Sequence, residues 1–201
     1  MIIPSISHRV RLTRHPKTDA RASEKIEAQV SWIASNSLVF TYALTGDLIG
    51  LRIPPSQSPC RAERLWEHTC FEAFVAVKGS PEYYEFNFAP SGEWTIYRFK
   101  RYRDRTPLED DMLAPKITVR QLAVGLDLEA VVRLDRLPVI PPRAKLRLAL
   151  AAVIEDESGI LSYWALRHPP GQPDFHHPEA FALELAPPEV DAANESAMER
   201  R

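Results

Sequence analysis

The chain has 201 residues, of which 45% are hydrophobic, and this is enough for a single domain with a hydrophobic core that needs no disulfide or structural metal. Its 25 basic and 27 acidic residues give a formal charge of −2, which provides no electrostatic basis for nucleic acid or an anionic membrane as a partner. No hydrophobic run is long enough for a transmembrane helix or a secretory signal, so we expect a cytoplasmic protein with Cys60 and Cys70 as free thiols.

The N-terminal part of the chain predicts three strands. Residues 1–24 are polar and basic, but hydrophobic residues alternate with arginines, which allows a short, solvated edge strand. From Lys25 the hydrophobic residues follow a period of two, interrupted by turn-forming residues at 34–37. This pattern predicts an antiparallel pair of strands, followed by a proline-rich loop and a single helical turn within 61–67.

Residues 65–100 predict three consecutive strands, because aromatic and β-branched residues dominate this stretch. Two short segments, at 78–81 and 90–93, contain the glycine and proline that hairpin loops favour. If both loops have four residues, Ala89 lies opposite Trp94 and the three strands form a meander.

This register divides the meander into a hydrophobic face and a mixed face. The hydrophobic face, which we expect to form the core, contains Phe71, Ala73, Val75, Tyr84, Phe86, Phe88, Tyr97 and Phe99. The mixed face contains Glu72, Phe74, Tyr83, Glu85, Asn87, Trp94, Ile96 and Arg98. It places Glu85 opposite Arg98 and Glu72 opposite Asn87. Since buried polar groups need partners, we expect the mixed face to contact water or a ligand.

The second half of the chain continues the alternation. Residues 101–111 are almost all charged, which predicts either a solvent-facing loop or the rim of a site on the neighbouring polar face. Further strands are predicted at 117–124, 126–134, 146–154, 160–166 and 181–185. About ten short strands with proline-rich connections predict an all-β protein, an antiparallel β-sandwich of the jelly-roll type. We expect one domain over residues 1–186 and a disordered tail over 187–201.

Three segments carry a resemblance to a known group of proteins: LWEHTCFEAFV, YYEFNFAPSGEW and SYWALRHPPGQPDFHHPEAFALEL. Together they resemble the DOMON-like superfamily and its relative, the family 9 carbohydrate-binding module, and the closing PDFHHP is typical of a bacterial subgroup. The resemblance implies a β-sandwich with a ligand-facing sheet. Its ligand-facing positions here are Trp66, Glu72, Phe74, Tyr83, Asn87 and residues 90–92.

The resemblance also raises the question of cofactors, because some members bind calcium and others hold haem through methionine and histidine. The methionines Met1, Met112 and Met198 fall on no predicted strand, which argues against haem. The triplet at 109–111 lacks the spacing of a calcium loop. His168, Asp174, His176 and His177 match no zinc spacing and are better explained as residues that hydrogen-bond the backbone of a proline-rich loop. We therefore expect no cofactor, with calcium or haem as the less favoured alternatives.

The sequence predicts a non-catalytic domain that binds a carbohydrate or a related polyhydroxylated small molecule on the polar face of one sheet. An indole ring can stack on a sugar while carboxylate, amide and guanidinium groups bind its hydroxyls. The predicted ligand-binding residues are Trp66, Glu72, Tyr83, Glu85, Asn87, Trp94, Arg98, Trp164, Arg167, His168 and His176. Two alternatives stay open: a haem- or metal-binding redox module, and a hydrolase that uses Glu72 with the loop at 168–177.

Overall fold

The computed structural model describes residues 7–18, 24–34, 36–108 and 113–187, and it confirms the all-β fold class. The described residues form twelve strands: β1 Ser7–Arg14, β2 Lys25–Ala34, β3 Ser37–Thr45, β4 Cys70–Val77, β5 Tyr83–Phe88, β6 Trp94–Phe99, β7 Arg105–Thr106, β8 Lys116–Leu122, β9 Gly125–Arg133, β10 Leu146–Glu155, β11 Leu161–Ala165 and β12 Leu183–Leu185. Their helical segments are short 3-10 turns, and none of them could span a membrane. The predicted disordered tail lies outside the described residues, apart from Pro187.

The strands form two layers of antiparallel sheet. Sheet A has the order β1, β2, β3, β9, β8, and sheet B has the order β7, β6, β5, β4, β10, β11, with β12 also paired to β10. The predicted N-terminal strand is largely solvent-exposed, as expected, but it is not a free edge along its whole length, because Thr13 and Arg14 of β1 pair with Ala165 and Trp164 of β11. Strand β1 therefore links the two sheets into one continuous curled sheet.

The main core lies between the two sheets. Sheet A supplies the alternate residues Leu38, Phe40, Tyr42 and Leu44 of β3, which are fully buried because they all project to the same face. They meet Phe71, Phe86 and Phe88 of sheet B, in agreement with the predicted hydrophobic face.

The first hairpin of the meander has the predicted register. Glu72 pairs with Asn87, and residues 78–82 connect the two strands. Gly79 has φ of 88°, a conformation that glycine adopts without steric cost. The predicted pairing of Glu72 with Asn87 is thus confirmed.

The second hairpin is displaced by one residue from the predicted register. Phe88, not Ala89, pairs with Trp94, and Glu85 lies opposite Tyr97 instead of Arg98. The loop is closed by hydrogen bonds from Ala89 N to Glu93 O (2.9 Å) and from Gly92 N to Ala89 O (2.9 Å). With φ of 96° at Gly92, this is a three-residue loop with a glycine bulge, so it is one residue shorter than predicted.

This shift moves every side chain of β6 to the other face of sheet B. Trp94 packs in the core between the sheets and is 5% exposed, and Arg98 pairs at 2.9 Å with Glu82 at the edge of that same face. Conversely, Tyr97 and Phe99, which were predicted to be core residues, lie on the outer face with Glu85. The predicted pairing of Glu85 with Arg98 and the predicted exposure of Trp94 are both wrong.

The outer face of sheet B is covered by a second hydrophobic cluster, which the prediction of an open polar face did not include. The covering segment is the closing loop, residues 167–182, which follows β11. Its Phe175 and Phe181 contact Phe74 with ring centroids 6.4 and 6.2 Å apart, and Phe181 also contacts Tyr83 at 5.5 Å. Part of the outer face remains open beside this loop, and it forms the site described next.

Candidate functional site

Two buried carboxyl groups form the floor of a cleft on the outer face of sheet B. Glu72 of β4 and Glu85 of β5 project to the same face, because Glu72 pairs with Asn87 and Phe74 pairs with Glu85. The two residues are only 3% and 5% exposed. Carboxyl groups are rarely buried to this extent without a partner of opposite charge.

The two carboxyl groups differ in their hydrogen bonds. Asn87 Nδ2 donates to Glu85 Oε1 at 2.7 Å, and the Cys70 thiol contacts the Asn87 carbonyl at 3.6 Å, which orients the amide. Glu72 Oε1, in contrast, is buried and has no hydrogen-bond partner among the described residues. An unsatisfied buried polar atom is costly, and at a cleft floor it indicates a position that a ligand group can fill.

The burial of these groups raises their pKa values. Burial, and then the negative charge of Glu85, raises the pKa of Glu72 well above its ordinary range. Burial likewise raises the pKa of Glu85 from 4.5 to about 7, although the Asn87 hydrogen bond and the charges of Arg105 and Arg103 act in the opposite direction. Both groups therefore hold a proton to a higher pH than an ordinary glutamate does, and Glu85 titrates near neutral pH.

Aromatic rings line the cleft beside this floor. Trp66, from the 3-10 turn Leu65–Glu67 before β4, contacts Tyr97 edge to face with the ring centroids 5.6 Å apart. The guanidinium of Arg105 lies 3.8 Å from the centroid of the Tyr97 ring, and the Tyr97 hydroxyl donates to Glu63 at 2.7 Å. Trp66 is only partly buried, so part of its surface is available to a ligand.

The closing loop forms the other side of the cleft and is held by Asp174. This carboxylate accepts hydrogen bonds from the Tyr102 hydroxyl at 2.7 Å, from Arg103 Nη2 at 2.8 Å and from the backbone N–H of His176 at 3.1 Å. Tyr102 and Arg103 belong to the turn between β6 and β7. The charged segment that begins at residue 101 therefore contributes to the rim of the site, which was one of its two predicted roles.

His176 lies at the edge of the floor. The Nδ1 atom of His176 is 2.9 Å from the Tyr83 hydroxyl, and its Nε2 atom is 3.6 Å from Glu85 Oε2. The Tyr83 hydroxyl also accepts a hydrogen bond from the backbone N–H of Arg103 at 3.1 Å. The pKa of His176 is lowered to about 4. Burial is the main cause, and the positive charge of Arg103 adds to it, while the negative charge of Asp174 has a smaller, opposite effect. The imidazole is therefore neutral at neutral pH and does not neutralise Glu85.

The cleft has a volume of about 390 Å³, which is within the range of small-molecule sites. Its lining residues come from six strands, the β6–β7 turn, the 3-10 turn and the closing loop: Trp66, Glu72, Glu85, Tyr97, Phe99, Arg103, Arg105, Val153, Tyr163, Pro173, Phe175 and His176.

The predicted ligand-binding residues have three different locations. Four of them line the cleft: Trp66, Glu72, Glu85 and His176. Two support it through hydrogen bonds: Tyr83 and Asn87. The other five do not line it: Trp94, Arg98, Trp164, Arg167 and His168.

Trp164 and His168 are explained by structural roles. Trp164 pairs with Ala152 on the inner face of sheet B, where its ring belongs to the main core and its Nε1 donates to Ser162 at 3.0 Å. His168 Nε2 lies 2.8 Å from the carbonyl oxygen of Thr13, so it joins the start of the closing loop to β1. Arg167 is exposed.

Eight lining residues were not predicted, and two of them were missed because of the shifted register. Tyr97 and Phe99 were assigned to the wrong face, and Phe175 and Pro173 lie in a loop without periodicity. The glycine in the loop at 90–92 was a usable signal, because a glycine in the third position is typical of three-residue hairpin loops. The remaining lining residues were not singled out: Arg103, Arg105, Val153 and Tyr163.

The histidines of the closing loop do not converge on a metal position. In the described part of the chain, no group of three or more His, Cys, Asp or Glu side chains is arranged to hold an ion. The His177 side chain instead accepts a hydrogen bond from Glu179 N at 3.2 Å and caps the 3-10 turn Pro178–Ala180. The acidic triplet at 109–111, which lacks the spacing of a calcium loop, and all three methionines lie outside the described residues.

The fold and the cleft together define a class of protein: an antiparallel β-sandwich with a small-molecule cleft on the outer face of one sheet. No protein-family model matches the chain. No curated protein matches it in sequence.

Solved structures do match it. A Bacteroides uniformis protein that is provisionally named carbohydrate-binding has a TM-score of 0.62 and 13% identity, with 86% of this chain and 83% of that chain covered. A family 9 carbohydrate-binding module from Caldicellulosiruptor kristjanssonii matches in two structures. In complex with cellotriose it has a TM-score of 0.46 and 14% identity, with 81% of this chain and 75% of that chain covered. In complex with glucose it has a TM-score of 0.45 and 14% identity, with 80% of this chain and 76% of that chain covered. At 13% identity the first of these similarities concerns the fold alone, and it supports the predicted β-sandwich.

Proposed function

We propose that the cleft binds a carbohydrate or a related polyhydroxylated small molecule without converting it. The observation that carries this proposal is Glu72 Oε1, a buried polar atom that lacks a hydrogen-bond partner among the described residues and lies at the floor of an aromatic cleft. A ligand that reaches this floor must supply a hydrogen-bonding group, and one that fits between the rings must also offer a nonpolar surface. Sugars and polyols meet both requirements.

Hydroxyl groups match the chemistry of the floor. A protonated carboxyl donates one hydrogen bond and accepts others, whereas an ionised one only accepts. Because burial raises the pKa values of both Glu72 and Glu85, the floor offers donors as well as acceptors near neutral pH. A hydroxyl, which also donates and accepts, can pair with either form.

The aromatic residues match the C–H faces of a sugar ring. Trp66 and Tyr97 present rings on one side of the floor, and Tyr163 and Phe175 line the cleft as well. Stacking of this kind selects among sugars by the orientation of their hydroxyls. Since hydroxyls exchange water for protein partners at little net gain, we expect dissociation constants on the order of micromolar to millimolar.

The carboxyl pair favours binding over hydrolysis. Glycoside hydrolysis by two carboxyl groups requires environments that separate their pKa values, so that one is protonated and the other is ionised. Here burial raises the pKa of both Glu72 and Glu85. The Asn87 hydrogen bond and the two arginines favour the ionised form of Glu85, but they still leave its pKa at about 7, which is high for a carboxylate nucleophile. The hydrolase alternative also invoked the loop at 168–177, of which His176 lines the cleft as a neutral imidazole and His168 does not line it.

The test is titration of the wild-type protein with neutral monosaccharides and disaccharides, measured by calorimetry and by tryptophan fluorescence. We expect saturable binding that Trp66→Ala abolishes and Trp66→Phe largely retains, because phenylalanine keeps a ring at that position. Of the four tryptophans, Trp66 is the one that lines the cleft, so Trp66→Phe should also lose most of the fluorescence change. A companion assay follows each sugar for cleavage.

Two results would overturn the proposal. One is the absence of binding across the panel to a protein whose folded state is verified by circular dichroism. The other is turnover of a bound sugar that Glu72→Gln eliminates, which would place the protein among the hydrolases. Glu129→Gln serves as the control, because Glu129 is exposed on β9 of the opposite sheet and its replacement changes the net charge equally.

A further inference from the structure

The charges of the cleft balance only when its floor carboxyls are protonated or joined by a cation. Its lining contains two carboxyl groups, Glu72 and Glu85, and two guanidinium groups, Arg103 and Arg105. Both arginines are already paired, Arg103 with Asp174 at 2.8 Å and Arg105 with Glu63 at 3.3 Å. With all groups ionised, four carboxylates face two guanidinium groups, a net charge of −2.

No side chain supplies the missing positive charge at the floor. Among the described residues, neither Glu72 nor Glu85 forms an ion pair with a lysine or an arginine, and the contact from His176 Nε2 to Glu85 comes from a neutral imidazole. Two neighbouring buried carboxyls without a cation are unfavourable unless they are protonated or an external cation joins them. Glu72 Oε1, which has no partner in the described chain, is the atom such a cation would reach.

The sides of the cleft also suit a cation. Trp66, Tyr97, Tyr163 and Phe175 are lining residues with aromatic rings, and the negative faces of such rings attract ammonium groups. The Arg105 guanidinium already makes this contact with Tyr97 at 3.8 Å. A cationic group between these rings would thus interact with aromatic faces and with carboxylates at once.

We infer that the ligand is a polyhydroxylated molecule that carries an ammonium group, that is, an amino sugar or an amino polyol, with its cation bound at Glu72 and Glu85. This inference rests on the proposed function and narrows its ligand class. The hydroxyls and the C–H faces engage the aromatic sides as in any sugar, and the ammonium donates to Glu72 Oε1 and to the free acceptor positions of Glu85. Its charge brings the four carboxylates and two guanidinium groups closer to balance.

The experiment compares matched pairs of sugars near neutral pH by calorimetry. Glucose is compared with glucosamine, galactose with galactosamine, and glucose with 6-amino-6-deoxyglucose, while N-acetylglucosamine tests size without charge. The proteins are the wild type, Glu72→Gln, Glu85→Gln and the control Glu129→Gln, each checked for folding by circular dichroism.

We expect at least one amino sugar to bind about tenfold or more tightly than its neutral parent, the effect that close charge pairs typically produce. This preference should fall in Glu72→Gln and Glu85→Gln and persist in Glu129→Gln, and N-acetylglucosamine should bind no better than glucose.

The outcomes separate this inference from the proposed function. If neutral sugars bind as well as every amino sugar, the inference fails while the proposed function stands. If neither kind binds, both fail. If an amino sugar is preferred equally by the wild type and by both glutamine variants, its cation binds elsewhere and the inference fails.

Discussion

At the scale of single residues, Glu85 is a group that lowers the stability of the folded protein at a position where a ligand can bind. Burial raises its pKa to about 7, which means that the folded protein is destabilised whenever this carboxyl ionises. The Asn87 amide at 2.7 Å reduces this cost without removing it. Destabilised polar groups of this kind are typical of functional sites, where a ligand supplies the missing interactions.

The first prediction concerns the pH dependence of stability. Because the pKa of Glu85 is higher in the folded state than its ordinary 4.5, its contribution to stability is complete below about pH 4.5 and is lost as the pH rises through about 7. Glu85→Gln removes this dependence and retains an acceptor for Asn87. Relative to the wild type, the variant should gain stability between these pH values, by on the order of 3 kcal/mol at most.

Urea unfolding at a series of pH values measures this difference. His176, whose pKa is lowered, has the opposite pH dependence, but it is present in both proteins and its contribution cancels to first order. A constant difference between variant and wild type over this pH range would show that the carboxyl does not titrate with a raised pKa.

At the scale of elements, the β5–β6 hairpin decides which side chains reach the cleft. Its glycine bulge at Gly92 sets the pairing of Phe88 with Trp94 and thereby turns Tyr97 and Phe99 towards the closing loop. A loop longer by one residue would instead place Trp94 on the cleft side. The composition of the site therefore depends on one backbone conformation.

The second prediction is that Gly92→Ala destabilises the protein by about 1–2 kcal/mol. The φ of 96° at Gly92 is strained for alanine, and an added Cβ would lie 3.3 Å from the carbonyl oxygen of Gln57. Gly50→Ala is the matched control, because a Cβ at Gly50 meets no atom within 4 Å. Chemical denaturation of both variants tests this, and equal stabilities would contradict the assigned loop conformation.

At the scale of the whole molecule, the floor of the cleft is connected to the core of the opposite sheet. Tyr42 of β3 is fully buried between the sheets, and its hydroxyl donates to the backbone carbonyl of Glu72 at 2.7 Å. Its ring also packs against Phe71 at a centroid distance of 5.0 Å. The position of the Glu72 backbone is thus determined from both sheets.

The third prediction is that Tyr42→Phe lowers the free energy of unfolding by about 1 kcal/mol or slightly more, since it removes one buried hydrogen bond and leaves the ring packing intact. Tyr102→Phe removes an exposed hydrogen bond, to Asp174, and should cost less. Denaturant unfolding of the two variants gives both values. A larger loss in Tyr102→Phe would indicate that the closing loop, and not the contact between sheets, limits stability.

The sequence by itself determined the local structure. Strict alternation of hydrophobic residues predicted the strands that became Gly125–Arg133 and Leu146–Glu155, and turn residues located the first hairpin, because a strand's side chains alternate regardless of what covers them. The sequence alone therefore predicted the all-β class correctly. It also placed Glu72, Glu85 and Asn87 on one face of the sheet, as the structure has them.

Only the tertiary structure decided which face of β6 joins the core and what covers the outer face of sheet B. Phe175 and His176 lie in the closing loop, where no period indicates a partner, and their contacts with Phe74 and Tyr83 join residues about a hundred positions apart in the chain. The raised pKa of Glu85 arises from that same burial. Such properties depend on the surroundings that the fold creates, whereas the sequence pattern reports only the alternation along each strand.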